Sequence, residues 1–123
     1  MALPSGFFRA NRELVCDAVP LAAIAAETGT PVYVYSAAAF RARYRAIDEA
    51  FGAYPHRLHY ALKANSSAAV VRLMRALGSA IDANSIGEIE LARRAGIAPD
   101  DIVFTGVGKT EARSMNRTPC RIG

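Results

Sequence analysis

The feature that most constrains the fold is a beat of about twenty residues. Apolar or β-branched runs end near positions 63, 83 and 105, and the first two are each followed by a stretch of helical periodicity. Leu58 to Leu62 reads as a strand, Ser66 or Ser67 as the start of a helix, and Val70, Leu73, Met74 and Leu77 as its apolar stripe up to Gly78. Ala80 to Ala83 reads as a second strand. Ser85 and Glu88 have the spacing of a capping box, and the helix they open runs through Ile89 and Leu91 to Gly96. Ile102 to Phe104 is a third strand. Strand and helix alternating at this interval is the pattern of βα units on a parallel sheet. Parallel sheets need cover on both faces, and a full (β/α)8 barrel takes roughly 250 residues. A chain of 123 residues thus reads as the front of a partial barrel, an α/β fold cut after about three units.

Residues 1–35 read as a lead-in with a short helix within Val19 to Thr28 and a strand at Val32-Tyr33-Val34-Tyr35. The residue before Pro31 avoids the helical region, which enforces extension there. Ser36 can cap the next helix, whose apolar stripe is Phe40, Tyr44, Ile47 and Phe51. Residues 36–110 form the front of the barrel. Residues 111–123 have neither helical nor strand periodicity, and we expect an irregular tail in which a frameshift or truncation has replaced the true continuation.

Charge and composition exclude several classes. The net charge is +4, but Arg113, Arg117 and Arg121 concentrate it in the tail. No basic stripe interleaved with aromatics suggests nucleic acid. The longest apolar stretch, Ala18 to Ala26, is broken by Pro20 and too short to span a bilayer. Nothing at the start resembles a secretory signal. Cys16 and Cys120 have no metal or redox spacing, so no metal site is expected, and a reducing cytoplasm fits. Cys16 reads as a buried small hydrophobe.

Chemistry is suggested by a rare residue. Thirteen of the fifteen basic side chains are arginine, and the lysines are Lys63 and Lys109 alone. A chain that uses arginine where charge suffices has reason to place a lysine in Tyr60-Ala61-Leu62-Lys63-Ala64-Asn65. A lysine amine can shift its pKa and condense with carbonyls, and a guanidinium does neither. The alternative is a lysine snorkelling at a strand end. In the expected strand His59, Ala61 and Lys63 share the face opposite Leu58, Tyr60 and Leu62, and this smaller, more polar set suits a barrel interior. Lys63 would then lie at the C-terminal end of a barrel strand, where (β/α)8 enzymes build their sites. Asp82 ends the next strand and could keep a nitrogen on Lys63 protonated; its alternative role is strand-to-helix turn chemistry. His59 reads as an interior packed histidine and His56 as a surface one. Gly106-Val107-Gly108-Lys109-Thr110 is not a phosphate loop, because Val103 stands where the pattern needs its first glycine. Its glycines suit a tight turn, with Lys109 at a pocket mouth.

These stretches resemble the fold-type III pyridoxal-phosphate-dependent decarboxylases of the ornithine, diaminopimelate and arginine group. The resemblance rests on Gly29 to Ser36, Tyr60 to Asn65, Gly78 to Glu88 and Ile102 to Thr110, in the right order and spacing. It implies an alanine-racemase-like (β/α)8 barrel followed by a β domain, to which the Val32 to Tyr35 strand would add. It implies that Lys63 carries the aldehyde of pyridoxal 5′-phosphate and that Asp82 is the acid beside it in the pocket. It further implies an amino-acid substrate and a homodimer with shared active sites. The Phe104 to Thr110 run favours meso-diaminopimelate, decarboxylated to L-lysine, over ornithine, arginine or carboxynorspermidine substrates or a racemase. A non-catalytic or non-functional product is the remaining alternative. Asn84 and Ile86 depart from the family pattern, which usually reads Asp-Val-Val-Ser-Gly-Gly-Glu. The family's later motifs, including its phosphate site, have no counterpart here, so this chain alone is expected to be inactive.

Overall fold

The computed structural model describes residues 5–105 and the backbone of 121–122. The chain divides into two compact units, Met1–Gly52 and Ala53–Gly123.

The first unit opens with an antiparallel meander that the sequence pattern did not reveal. Strands β1 (Phe7–Ala10), β2 (Glu13–Cys16) and β3 (Val19–Pro20) pair in that order. Ala10 faces Glu13 across the first turn, so the loop is Asn11 and Arg12 alone, both with positive φ. Those are the φ signs of a type I′ turn, whose twist suits a two-residue hairpin. Helices α1 (Leu21–Thr28) and α2 (Ala37–Ala50) follow. The expected strand at Val32 to Tyr35 is not formed: residues 32–36 belong to no strand and Tyr33 is 89% exposed. A strand needs a ladder partner, and β-propensity alone provides none. Ser36 caps α2 as expected, accepting from the Ala39 N–H at 2.9 Å. Its hydroxyl also donates to Asp17 Oδ1 at 2.6 Å, and Asp17 Oδ2 accepts from the Ala38 N–H at 3.2 Å. The Ser36 hydroxyl foremost, then the Ala38 N–H, hold the Asp17 carboxyl below its ordinary value. Burial and the neighbouring Asp17 charge push the Cys16 thiol up, in keeping with its expected burial. The stripe expected to be core on α2 is not: no residue of this helix is buried, and Ile47 and Phe51 are each 44% exposed. A meander of ten strand residues offers too little apolar surface to cover it.

The second unit carries the βα rhythm. Strands β4 (His59–Ala61), β5 (Ala80–Ala83), β6 (Ile102–Phe104) and β7 (Arg121–Ile122) form one parallel sheet in that order. Each strand is added beside its predecessor without reversal. A doubly wound sheet reverses direction, whereas a barrel does not. Helices α3 (Ala68–Ala76) and α4 (Ile86–Arg94) connect the strands, capped by Ser67 and Ser85. The expected glycine stops, Gly78 and Gly96, follow these helices with positive φ, a conformation that costs glycine little. Register pairs Ile81 with Ile102 and Ala83 with Phe104, all buried. Leu62, Val71, Ala92 and Ile97 complete this core. Each large side chain buried there contributes about 1.5–3 kcal/mol of apolar transfer. Ala61, Asp82 and Val103 align across the sheet, with Asp82 and Val103 on its other, less buried face. The tail, expected to be irregular, thus supplies a short strand at Arg121–Ile122.

Candidate active site

Lys63 does not continue the strand. β4 ends at Ala61, and Leu62–Ala64 turn into a single 3₁₀ turn. Leu62 is fully buried in the core and draws the chain inward at that point. Strand alternation therefore does not set the direction of Lys63. The turn is tied down on its far side. Tyr60, rooted against the core, donates its hydroxyl to the Asn65 carbonyl at 3.0 Å, and Asn65 Oδ1 accepts from the Ser67 N–H at 2.9 Å. Ser67 in turn caps α3 through the Val70 N–H. Lys63 rides on a turn fixed by a strand tyrosine at one end and a helix cap at the other.

Lys63 is exposed, where an enclosed cavity was expected. The physical reason is that the turn follows β4, an edge strand of the four-stranded sheet. Among the described residues its amine has no hydrogen bond or ion pair.

Asp82 lies on β5, next to β4, opposite Ala61. The two expected site residues thus occupy the C-terminal ends of neighbouring parallel strands but do not pair with each other. Asp82 instead accepts from Thr105 Oγ1 through Oδ1 at 2.5 Å. Thr105 Oγ1 accepts in turn from Asn84 Nδ2 at 2.8 Å. Neither partner was singled out as part of the site from the sequence. The signal was available: residue 84 follows the end of one strand and residue 105 the end of the next, on the same beat. The capping box at Ser85 is modified. Glu88 N–H donates to Ser85 Oγ at 3.2 Å, but the Glu88 carboxylate accepts from Asn84 N–H at 2.6 Å, one residue before the cap.

His59 is exposed rather than packed inside, on the edge strand of the sheet. His56 Nδ1 lies 2.8 Å from the Tyr54 carbonyl oxygen. Lys109 and the Gly106 to Thr110 run lie outside the described residues. Among those described, no three His, Cys, Asp or Glu side chains cluster as a metal site would require, and no helix is long and apolar enough to cross a membrane. An amine nucleophile and a carboxylate on adjacent strand ends suit the aldehyde end of pyridoxal 5′-phosphate, with one group to bond and one to hold a proton.

Comparison with known proteins gives this arrangement a context. Residues 37–120 match the family described as pyridoxal-dependent decarboxylase, pyridoxal binding domain. Diaminopimelate decarboxylase of Vibrio cholerae is 45% identical over 115 residues, covering 94% of this chain and 28% of that protein. The solved diaminopimelate decarboxylase of M. jannaschi superposes with a TM-score of 0.80 at 29% identity, over 88% of this chain and 26% of that one. That of Helicobacter pylori, complexed with L-lysine, gives 0.70 at 38% identity, over 76% and 24%. The chain spans about a quarter of the length of these relatives, and its parallel sheet is a partial (β/α)8 barrel. The chain belongs to the pyridoxal-dependent decarboxylases, and its matched residues are pyridoxal-binding-domain sequence of that family.

Proposed function

We propose that this chain supplies the amine and carboxylate of an active site that converts meso-diaminopimelate to L-lysine and carbon dioxide with pyridoxal 5′-phosphate. The observation that carries the reading is the placement of Lys63. It is the one lysine among the described residues, held on a fixed turn with no hydrogen bond or ion pair among those residues, at the strand end beside the strand of Asp82. The relatives' names supply the substrate, and the lysine complex of the Helicobacter pylori structure agrees with the product.

When bound, the cofactor serves as an electron sink for the pair left by departing carbon dioxide. The chain's own residues do the rest. Lys63 would hold the cofactor, its amine linked to the cofactor aldehyde until the substrate amine took its place. The Tyr60–Asn65 tie keeps the link on one line of approach. Asp82 holds a proton at the nitrogen of Lys63. The rest of the barrel and a β domain, in a homodimer with sites shared between subunits, would complete the phosphate and substrate contacts. We place the intact enzyme in the cytoplasm, consistent with the free, buried thiol of Cys16.

The test is Lys63→Ala in the full-length enzyme carrying this sequence. Release of carbon dioxide from meso-diaminopimelate should vanish while weak cofactor affinity remains; full activity in that variant would overturn the assignment. The 123-residue chain alone should release none.

A further inference from the structure

The Asp82 carboxylate is held by Thr105, just past the end of β6, and Thr105 is held in turn by Asn84, just past the end of β5, with the hydrogen bonds running in one direction. Thr105 Oγ1 lies 2.5 Å from Asp82 Oδ1 and 2.8 Å from Asn84 Nδ2. A threonine hydroxyl has a single proton. The Asn84 amide nitrogen can only donate, so it fills an acceptor position on the threonine oxygen. The hydroxyl proton is therefore committed to Asp82. Both holders are themselves anchored. Thr105 donates its backbone N–H to the Ala83 carbonyl at 3.0 Å, which extends the β5–β6 ladder by one residue. Asn84 donates its own N–H to the Glu88 carboxylate at the start of α4. Threonine is also stiff at χ1, so its oxygen does not wander from a fixed backbone. Among the described residues Oδ2 of Asp82 accepts no hydrogen bond.

We propose that Thr105 and Asn84 are positioning residues for Asp82: Thr105 clamps Oδ1, Asn84 orients the Thr105 hydroxyl that does so, and Oδ2 is left as the oxygen presented to the nitrogen of Lys63. The proposal deepens the cofactor reading and rests on it for its functional meaning, but the clamp itself is a property of this chain. The carboxylate is partly open to solvent, and without the clamp it would sample several rotamers. The nitrogen it serves would then meet a misaimed oxygen for much of the time.

The test uses the full chain and two readouts. Three-bond couplings from Asp82 Cγ to its backbone nitrogen and carbonyl carbon report the χ1 rotamer. The native chain and Thr105→Ser should show one rotamer; Thr105→Val and Asn84→Val should show averaging. Averaged couplings in the native chain, or a single rotamer preserved in Thr105→Val, would overturn the proposal. If Thr105→Val loses its sheet by circular dichroism, Asn84→Val, which leaves residue 105 untouched, decides. The second readout is cyanoborohydride trapping of pyridoxal 5′-phosphate, mapped by peptide mass with Lys109 as internal reference. Trapping at Lys63 should fall about tenfold in Thr105→Val, the scale at which loss of an orienting partner is felt, and return to within about twofold in Thr105→Ser. An undiminished rate at Lys63 in both valine variants would also overturn it. A native chain with a single Asp82 rotamer but no preference for Lys63 over Lys109 would sink the cofactor reading and leave the clamp standing.

Discussion

Gly6 sits against the node that joins the N-terminal meander to α2, and replacing it with alanine should open that node. A Cβ built there would lie 1.9 Å from Ser36 Oγ, 2.4 Å from Ser36 Cβ and 3.0 Å from Asp17 Oδ1. None of these can yield cheaply. Ser36 is 4% exposed, and its hydroxyl holds both the α2 cap and Asp17. Turning it away would forfeit a cap worth about 0.5–2 kcal/mol. The φ of +85° at Gly6 adds a left-handed penalty of about 1–2 kcal/mol for alanine. The sum is roughly 1.5–4 kcal/mol, which corresponds to about 12- to 800-fold faster exchange of the protected Ala39 amide. Hydrogen exchange followed by NMR reads this directly. The Val71 amide, bonded to the Ser67 carbonyl in the other unit, serves as the reference. Ser36→Gly removes the two closest atoms, so Gly6→Ala in that background should cost only the left-handed term. Unchanged Ala39 exchange in Gly6→Ala, or an undiminished Gly6→Ala penalty in the Ser36→Gly background, would refute the steric argument.

Three further outcomes are expected. Ile81→Ala, at a position with no exposed surface, should cost about 2–5 kcal/mol in urea unfolding, because the packed sheet and α4 cannot collapse onto the void. Tyr60→Phe removes the hydroxyl that ties the Lys63 turn and should cost about 0.5–1.5 kcal/mol; faster exchange of the Ser67 amide would mark where the loss falls. Asp17 has a lowered carboxyl pKa in the fold, so its contribution is complete above the ordinary value near ~3.9 and disappears as pH falls through the lower folded value. The Ala38 amide shift should therefore titrate below about pH 4, with no response between pH 5 and 8, and Asp17→Asn should abolish the acid response.

Much of the second unit was legible because its determinants are local. Ala80–Ala83 and Ile102–Phe104 form strands at the residues expected, and Ser36, Ser67 and Ser85 cap the helices they precede. Caps and apolar periods depend on a few adjacent residues. What escaped depends on distant or unusual backbone. The meander turns on Asn11, Arg12 and Asp17 in positive φ without glycine, so no breaker marks it. Val32 to Tyr35 has the composition of a strand but no ladder, and ladders are non-local. The α2 stripe has the spacing of a buried face but no surface to meet it. At the candidate site, Lys63 and Asp82 were visible as chemistry-bearing types at strand ends. The 3₁₀ turn was not, because burial of Leu62 overrides the strand period at that residue. Thr105 and Asn84 were hidden by the same limit: a hydrogen bond between strand ends is written in two places at once.

The unreversed order of the parallel sheet has a consequence for how such a protein is made. Chains leave the ribosome N-terminus first, and early segments can fold before later ones exist. Here β5 docks beside β4, and β6 beside β5, using only residues already synthesised. Lys63 and Asp82 can thus acquire their spacing as soon as the first two parallel strands have emerged, before any residue beyond α4 is needed.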